Sequence, residues 1–190
     1  MTEIINDIQI SDDLSLVQYN KKKHFDLIEN FNCSNNVFNR LLKELPSHHC
    51  CAKMLVKQDR ILAYCAYRCS SIKIENEVFP AIEIRAFARD KNYCKKSNDN
   101  TKSIARIFFE MVLSKLNDIA NNVIGAKYIC LHSIDSEKLI KMYQDIGFET
   151  QNTLLGTYTY NGREKIVCAC EDFTDRNHVL YEFENLALSA

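Results

Sequence analysis

Lys141-Met142-Tyr143-Gln144-Asp145-Ile146-Gly147-Phe148-Glu149 reads as the end of a helix that turns through a glycine into a strand. Glycine takes the left-handed conformation that stops a helix without a Cβ penalty. Upstream, Ser136 opens this helix, with Leu139, Ile140 and Tyr143 on its inner side, and the apolar run Tyr128 to His132 predicts a strand before it. Downstream, Phe148 returns to strand, and Asn161-Gly162, between Thr157 to Tyr160 and Lys165 to Cys170, predicts a tight hairpin.

Further out, Ile104, Ile107, Phe108, Met111, Val112, Leu116 and Ile119 recur at three- and four-residue steps, so the longest helix lies there and ends near Asn121-Asn122. Ala81 to Ala88 reads as a strand. Ala52 to Val56 and Ile61 to Tyr67, divided by the polar Lys57 to Arg60, read as an antiparallel pair. Leu14 to Gln18 is the first strand, Phe25 to Phe31 a short helical stretch, and Asn35-Asn36 cap a helix that stops before Pro46. The resulting order is β, α, α, ββ, β, long α, β, α, β hairpin, with a candidate amphipathic helix in the tail.

The chain has 190 residues with 46% apolar content, and neither a repeat nor a Pro/Gly-rich linker divides it, so one domain over residues 1–190 is expected, with 175–190 as a helical extension. Twenty-four basic against 25 acidic side chains leave no global excess that would mark a nucleic-acid or membrane binder. Nine cysteines, odd in number and irregular in spacing, behind the polar start Met1 to Asp7, read as reduced thiols in a cytoplasmic protein. No apolar run reaches the roughly 20 residues that a membrane helix needs.

Three separated runs resemble the GCN5-related N-acetyltransferases, and within them the acetyltransferase toxins of toxin–antitoxin pairs. Phe31-Asn32-Cys33 through Leu41-Leu42-Lys43-Glu44 resembles "FxCGxxxLNxFLxE". Pro80-Ala81-Ile82-Glu83-Ile84 with Phe87-Ala88-Arg89-Asp90 and Tyr93 resembles "PAxxIxRLAVDxxY". His132-Ser133-Ile134-Asp135 with Tyr143 and Gly147-Phe148 resembles "HAxDxxAxxFYxxxGF". The resemblance implies an α+β fold with a central mixed, mostly antiparallel sheet flanked by helices, and a V-shaped splay between its fourth and fifth strands. It also implies acetyl transfer from acetyl-CoA to a primary amine, with aminoacyl-tRNA as the leading acceptor ahead of a protein or small-molecule amine. An antitoxin or host protein and a homodimer are the partners it suggests.

Acetyl transfer needs a polarised thioester carbonyl, a route for the amine proton and an acid for the departing thiolate. By correspondence, the backbone of Phe87, Ala88 and Arg89 contacts the pantetheine and the carbonyl, and Tyr143 protonates the sulfur; the competing reading of Tyr143 is a core tyrosine on an amphipathic helix. Glu83 and His132 are the candidate bases, each with a plain alternative: Glu83 facing solvent, His132 hydrogen-bonding between strands.

Family members place a glycine-rich turn after the fourth strand, where backbone N–H groups and a helix N-terminus hold the pyrophosphate. Here the segment is Cys94-Lys95-Lys96-Ser97-Asn98-Asp99-Asn100-Thr101-Lys102-Ser103, longer and without glycine. One reading keeps the cofactor, with Thr101 or Ser103 capping the helix, Lys95, Lys96 and Lys102 supplying charge, and Cys94 in the place of the usual glutamine or arginine. The other makes the protein a catalytically inactive binding or inhibitor module on the same fold.

His48-His49-Cys50-Cys51 does not have the paired spacing of a zinc site, so no metal is expected. The Lys21-Lys22-Lys23 run reads as a solvated face.

Overall fold

The computed structural model describes residues 8–11, 14–74, 76–93, 104–134, 137–151 and 165–170. Eight strands and four α-helices are formed: β1 (Ile8–Ser11), β2 (Leu14–Gln18), α1 (Phe25–Asn30), α2 (Asn36–Lys43), β3 (Cys51–Lys57), β4 (Arg60–Ile74), β5 (Glu77–Arg89), α3 (Ile104–Ile119), β6 (Tyr128–Ile134), α4 (Glu137–Gln144), β7 (Glu149–Gln151) and β8 (Lys165–Cys170). The strand order is β1-β2-β3-β4-β5-β6-β8-β7. β2 runs antiparallel to β1 and β3, and β8 antiparallel to β6 and β7, whereas β5 and β6 are parallel. Parallel neighbours need a long crossover, and α3 supplies it.

The parallel register runs from Ala81↔Tyr128 to Ile84↔Leu131, and beyond it β5 continues to Arg89 and β6 to Ile134. The sheet is therefore mixed and mostly antiparallel, with its parallel pair at the fourth and fifth strands of the expected fold.

The chain divides into two compact units built from interleaved segments. One comprises Met1–Ala66, Ala86–Val112 and Asn177–Ala190; the other comprises Tyr67–Arg85 and Leu113–Arg176. In the first, Val17, Ile28, Phe31, Leu42, Leu45, Met54, Tyr64, Ala86 and Ala88 form one buried cluster. The Tyr64 ring meets Phe31 edge-on at 5.4 Å, and its hydroxyl donates to the Phe38 carbonyl at 2.7 Å. This satisfies a buried polar tip that would otherwise cost about 1–3 kcal/mol. In the second unit Ile72, Ala81 and Cys130 form a smaller cluster lined by Phe79 and Tyr128.

The helices follow from local chemistry. The Asn35 side chain accepts from the Val37 amide at 2.9 Å and caps α2, and Pro46 enters a short 3₁₀ turn directly after it. α3 buries Ile107, Phe108, Phe109, Met111, Val112, Leu113 and Leu116, a wider apolar face than its periodicity predicts. It passes into a π-turn, Ala120–Ile124, closed by Gly125 at φ 63. No helix is long and apolar enough to cross a membrane.

The sequence-predicted elements appear with longer strands: β4 extends to Ile74 and β5 begins at Glu77. β1 precedes the expected first strand. β7 and β8 pair antiparallel as the expected hairpin requires, while Asn161-Gly162, Ser136 and the 175–190 tail lie outside the described residues.

Candidate functional site

The stretch that opens the reading closes as two nested bonds. The Phe148 amide donates to the Tyr143 carbonyl at 3.0 Å and the Gly147 amide to the Gln144 carbonyl at 2.9 Å, with Gly147 at φ 107. This is the Schellman arrangement, which often includes an apolar contact between the residues joined by the outer bond. Here that contact is aromatic: Tyr143 and Phe148 meet at 5.8 Å and 64°, with Phe148 buried and Tyr143 half-buried. The turn thus fixes the backbone and ring of Tyr143 through three local interactions.

In the same unit Glu83, on β5, is 4% exposed. Its expected alternative, a solvent-facing strand position, is corrected: Arg68 Nε on β4 donates to its Oε2 at 2.9 Å, and Arg85 Nη1 on β5 to its Oε1 at 2.8 Å. His132 Nδ1 on β6 stands 3.6 Å from the same Oε1, an electrostatic contact longer than a hydrogen bond. Burial alone would raise the Glu83 carboxyl, but His132, Arg85 and Arg68 outweigh it and bring it down from the ordinary 4.5 to about 2. A carboxylate stabilised to that degree is a feeble base. Cys130, paired with Glu83 in the parallel register, has its thiol pushed up to about 12 by burial and by the neighbouring carboxylate, so it is inert at neutral pH.

In the other unit, the strand end Phe87, Ala88, Arg89 alternates. The Phe87 ring stacks on Phe108 at 5.7 Å and meets Phe109 edge-on at 4.7 Å, Ala88 lies in the buried cluster, and Arg89 is exposed. Side chains on either side of the sheet therefore anchor the backbone of this strand end.

Asp90 follows, 1% exposed. It accepts from Arg60 Nη2 at 2.7 Å, from the Asn92 amide at 2.7 Å and from the Asn32 amide at 3.4 Å, while its own amide donates to the Leu62 carbonyl at 2.8 Å. The Lys91 amide donates to the Asn32 carbonyl at 2.8 Å. One carboxylate thus ties the end of β5 to the loop after α1. That loop is braced again by Asn39, whose side chain accepts from the Cys33 amide at 2.8 Å and donates to the Cys33 carbonyl at 3.1 Å. Sequence reasoning missed Asp90 and Asn39 as organising residues; both sit in the motif runs, which was the available signal.

The structure brings Glu83 and His132 together, keeps Phe87, Ala88 and Arg89 on one anchored strand end, and seats Tyr143 against Phe148. Cys94, Lys95, Lys96, Thr101, Lys102 and Ser103 lie outside the described residues. His48 is exposed at a 3₁₀ end, His49 is left-handed at φ 53, Cys50 is buried and Cys51 exposed; among the described residues no metal-ligating cluster forms.

No family model matches the chain, and no curated protein matches it. Solved structures do. A structure described as a bacterial toxin aligns with TM-score 0.63 at 13% identity, over 90% of this chain and 95% of that one. AtaT complexed with acetyl-methionyl-tRNAfMet aligns with TM-score 0.62 at 13% identity, over 89% and 99%. A single-residue mutant of the AtaT toxin, bound to the C-terminus of the antitoxin AtaR and acetyl-CoA, aligns with TM-score 0.56 at 12% identity, over 94% and 100%. The chain has the fold of the GCN5-related N-acetyltransferases, the fold that the three motif runs imply.

Proposed function

We propose that this protein is an acyl-CoA-dependent N-acetyltransferase that passes an acetyl group to a primary amine by direct attack. The observation that carries the reading is the fold, matched over about nine-tenths of the chain, with its parallel pair β5 and β6 continuing past their shared register. In this reading the anchored backbone of Phe87, Ala88 and Arg89 receives the pantetheine and polarises the thioester carbonyl. The small Ala88 and the buried Phe87 ring suit a strand end that a cofactor must approach closely. Tyr143 protonates the departing sulfur, its ring held in place by Phe148.

The residues Cys94, Lys95, Lys96, Thr101, Lys102 and Ser103 surround the pyrophosphate, the lysines by charge and the hydroxyls as caps of α3. His132 is the base candidate, and Glu83 holds arginines instead of taking a proton. By likeness to AtaT, the leading acceptor is aminoacyl-tRNA, and an antitoxin segment is the leading protein partner, both within a cytoplasmic setting.

The test is isothermal titration with acetyl-CoA and with CoA, followed by turnover of charged tRNA and of small amines. Micromolar binding and a Tyr143→Phe loss of about 10²-fold or more in kcat, without a change in Tm, are expected. Full activity in Tyr143→Phe would remove the acid role.

The second reading, an inactive binding or inhibitor module, is favoured by the glycine-free segment 94–103. It requires that no acyl-CoA binds.

A further inference from the structure

Arg68, Glu83, Arg85 and His132 come from three adjacent strands and meet around one carboxylate. Arg85 and His132 are the residues that directly follow Ile84 and Leu131, the last pair of the parallel register. In open sheets with parallel strands, ligands settle at the carboxyl ends of those strands. Within the cluster two permanent cations face one anion, and the carboxylate is 5% exposed whereas the Arg68 and Arg85 side chains are 39% and 36% exposed. The anion is thus inside and the cationic groups reach the surface. Arg68 engages Glu83 through Nε, so its terminal nitrogens keep the fork that suits a tetrahedral oxyanion.

We propose that Arg68 and Arg85 form a phosphate-binding site for the acyl acceptor, with Glu83 as the residue that positions both guanidiniums. The word acceptor rests on the acetyl-transfer reading; the anion site does not.

The experiment titrates the full-length protein with inorganic phosphate and with adenosine 5′-monophosphate, with adenosine as control, following ³¹P line width and binding heat. Saturable binding of both phosphates and none of adenosine is expected. Arg68→Gln and Arg85→Gln should each weaken phosphate by about tenfold or more, with Arg68→Lys, which keeps the charge and loses the fork, in between. Glu83→Gln, which removes the competing negative charge, should bind phosphate more tightly; weaker binding there overturns the part given to Glu83.

Phosphate can also enter wherever a coenzyme pyrophosphate would go, so the variants decide: binding unchanged in folded Arg68→Gln, or in Arg68→Lys should the first fail to fold, overturns the site. Equal binding of adenosine and its monophosphate overturns it as well. A parallel acetyl-CoA titration separates the two readings. Phosphate binding that depends on Arg68, without acetyl-CoA binding, sinks acetyl transfer and keeps the site; acetyl-CoA binding with no Arg68-dependent phosphate binding does the reverse.

Discussion

Two buried carboxylates, one in each unit, are built on opposite plans. Asp90 is bound largely by the chain itself: two backbone amides and one guanidinium, Arg60, reach its oxygens. Glu83 is bound by side chains alone in the printed geometry, two guanidiniums and a nearby imidazole. A carboxylate that collects backbone donors fixes where segments of chain lie, and its single arginine balances its charge. A carboxylate that collects more cations than it can neutralise presents positive charge outward. Burial and an arginine partner look the same in both; the identity of the remaining donors separates a scaffold from a surface that can receive a ligand.

The largest effect that tests this contrast is Asp90→Ala. It strips two backbone donors and Arg60 of their acceptor at a position 1% exposed. Leaving buried groups unsatisfied should cost about 2–4 kcal/mol in urea unfolding, and the loss of order should spread to the neighbouring strand end and lower acetyl-CoA affinity. A change below about 1 kcal/mol would break the distinction, because Asp90 would then be no more than an ion-pair partner.

Glu83 should show its effect in the pH dependence instead. Its folded carboxyl lies near 2 against an ordinary 4.5, so its contribution is present above the higher value and is lost as pH falls from about 4.5 toward 2. The arginines are over a third exposed, so the contribution is set at roughly 2 kcal/mol after allowance for solvent screening. Glu83→Gln should flatten that acid limb of the stability curve, whereas an unchanged limb would mean that the guanidiniums leave the carboxylate largely unsupported.

How far these features were legible follows from how local each one is. The Tyr143 to Phe148 turn was read correctly because glycine, capping and a six-residue span decide it. The α2 cap at Asn35 was equally local. β1 escaped because four residues, Ile8–Ser11, carry too short an alternation. The width of the α3 core face escaped because Phe109 and Leu113 fall outside a one-sided helical stripe and are buried only once the helix is covered on a second side. Glu83 was half legible. Its place on a strand was plain, but its burial depends on Arg68, fifteen residues away on the neighbouring strand, and on His132 across the parallel register. Nothing in the alternation of one strand reports a partner supplied by the next.

Asn39 extends the contrast to a neutral group. Like Asp90 it acts on backbone, closing the Cys33 amide and carbonyl at once. Asn39→Ala should therefore destabilise by about 1–2 kcal/mol, while Asn39→Asp, which keeps the acceptor and loses the donor, should recover part of it; equal losses would show that only packing is at stake.

The smallest effect belongs to the shortest pair. Lys43 Nζ lies 2.6 Å from Glu29 Oε2, yet the two side chains are 38% and 46% exposed. Holding two long, hydrated side chains in one geometry costs rotamer freedom that the screened attraction barely offsets, so Lys43→Ala should shift stability by no more than about 0.5 kcal/mol. Raising the salt concentration should remove even that. Arg60 and Arg68, at 2.7 Å and 2.9 Å from their carboxylates, form pairs no shorter than this one. If Lys43→Ala matched Asp90→Ala in cost, distance would be the governing quantity. If it did not, desolvation of the acceptor and the nature of its other donors would be, which is the difference the two buried carboxylates display.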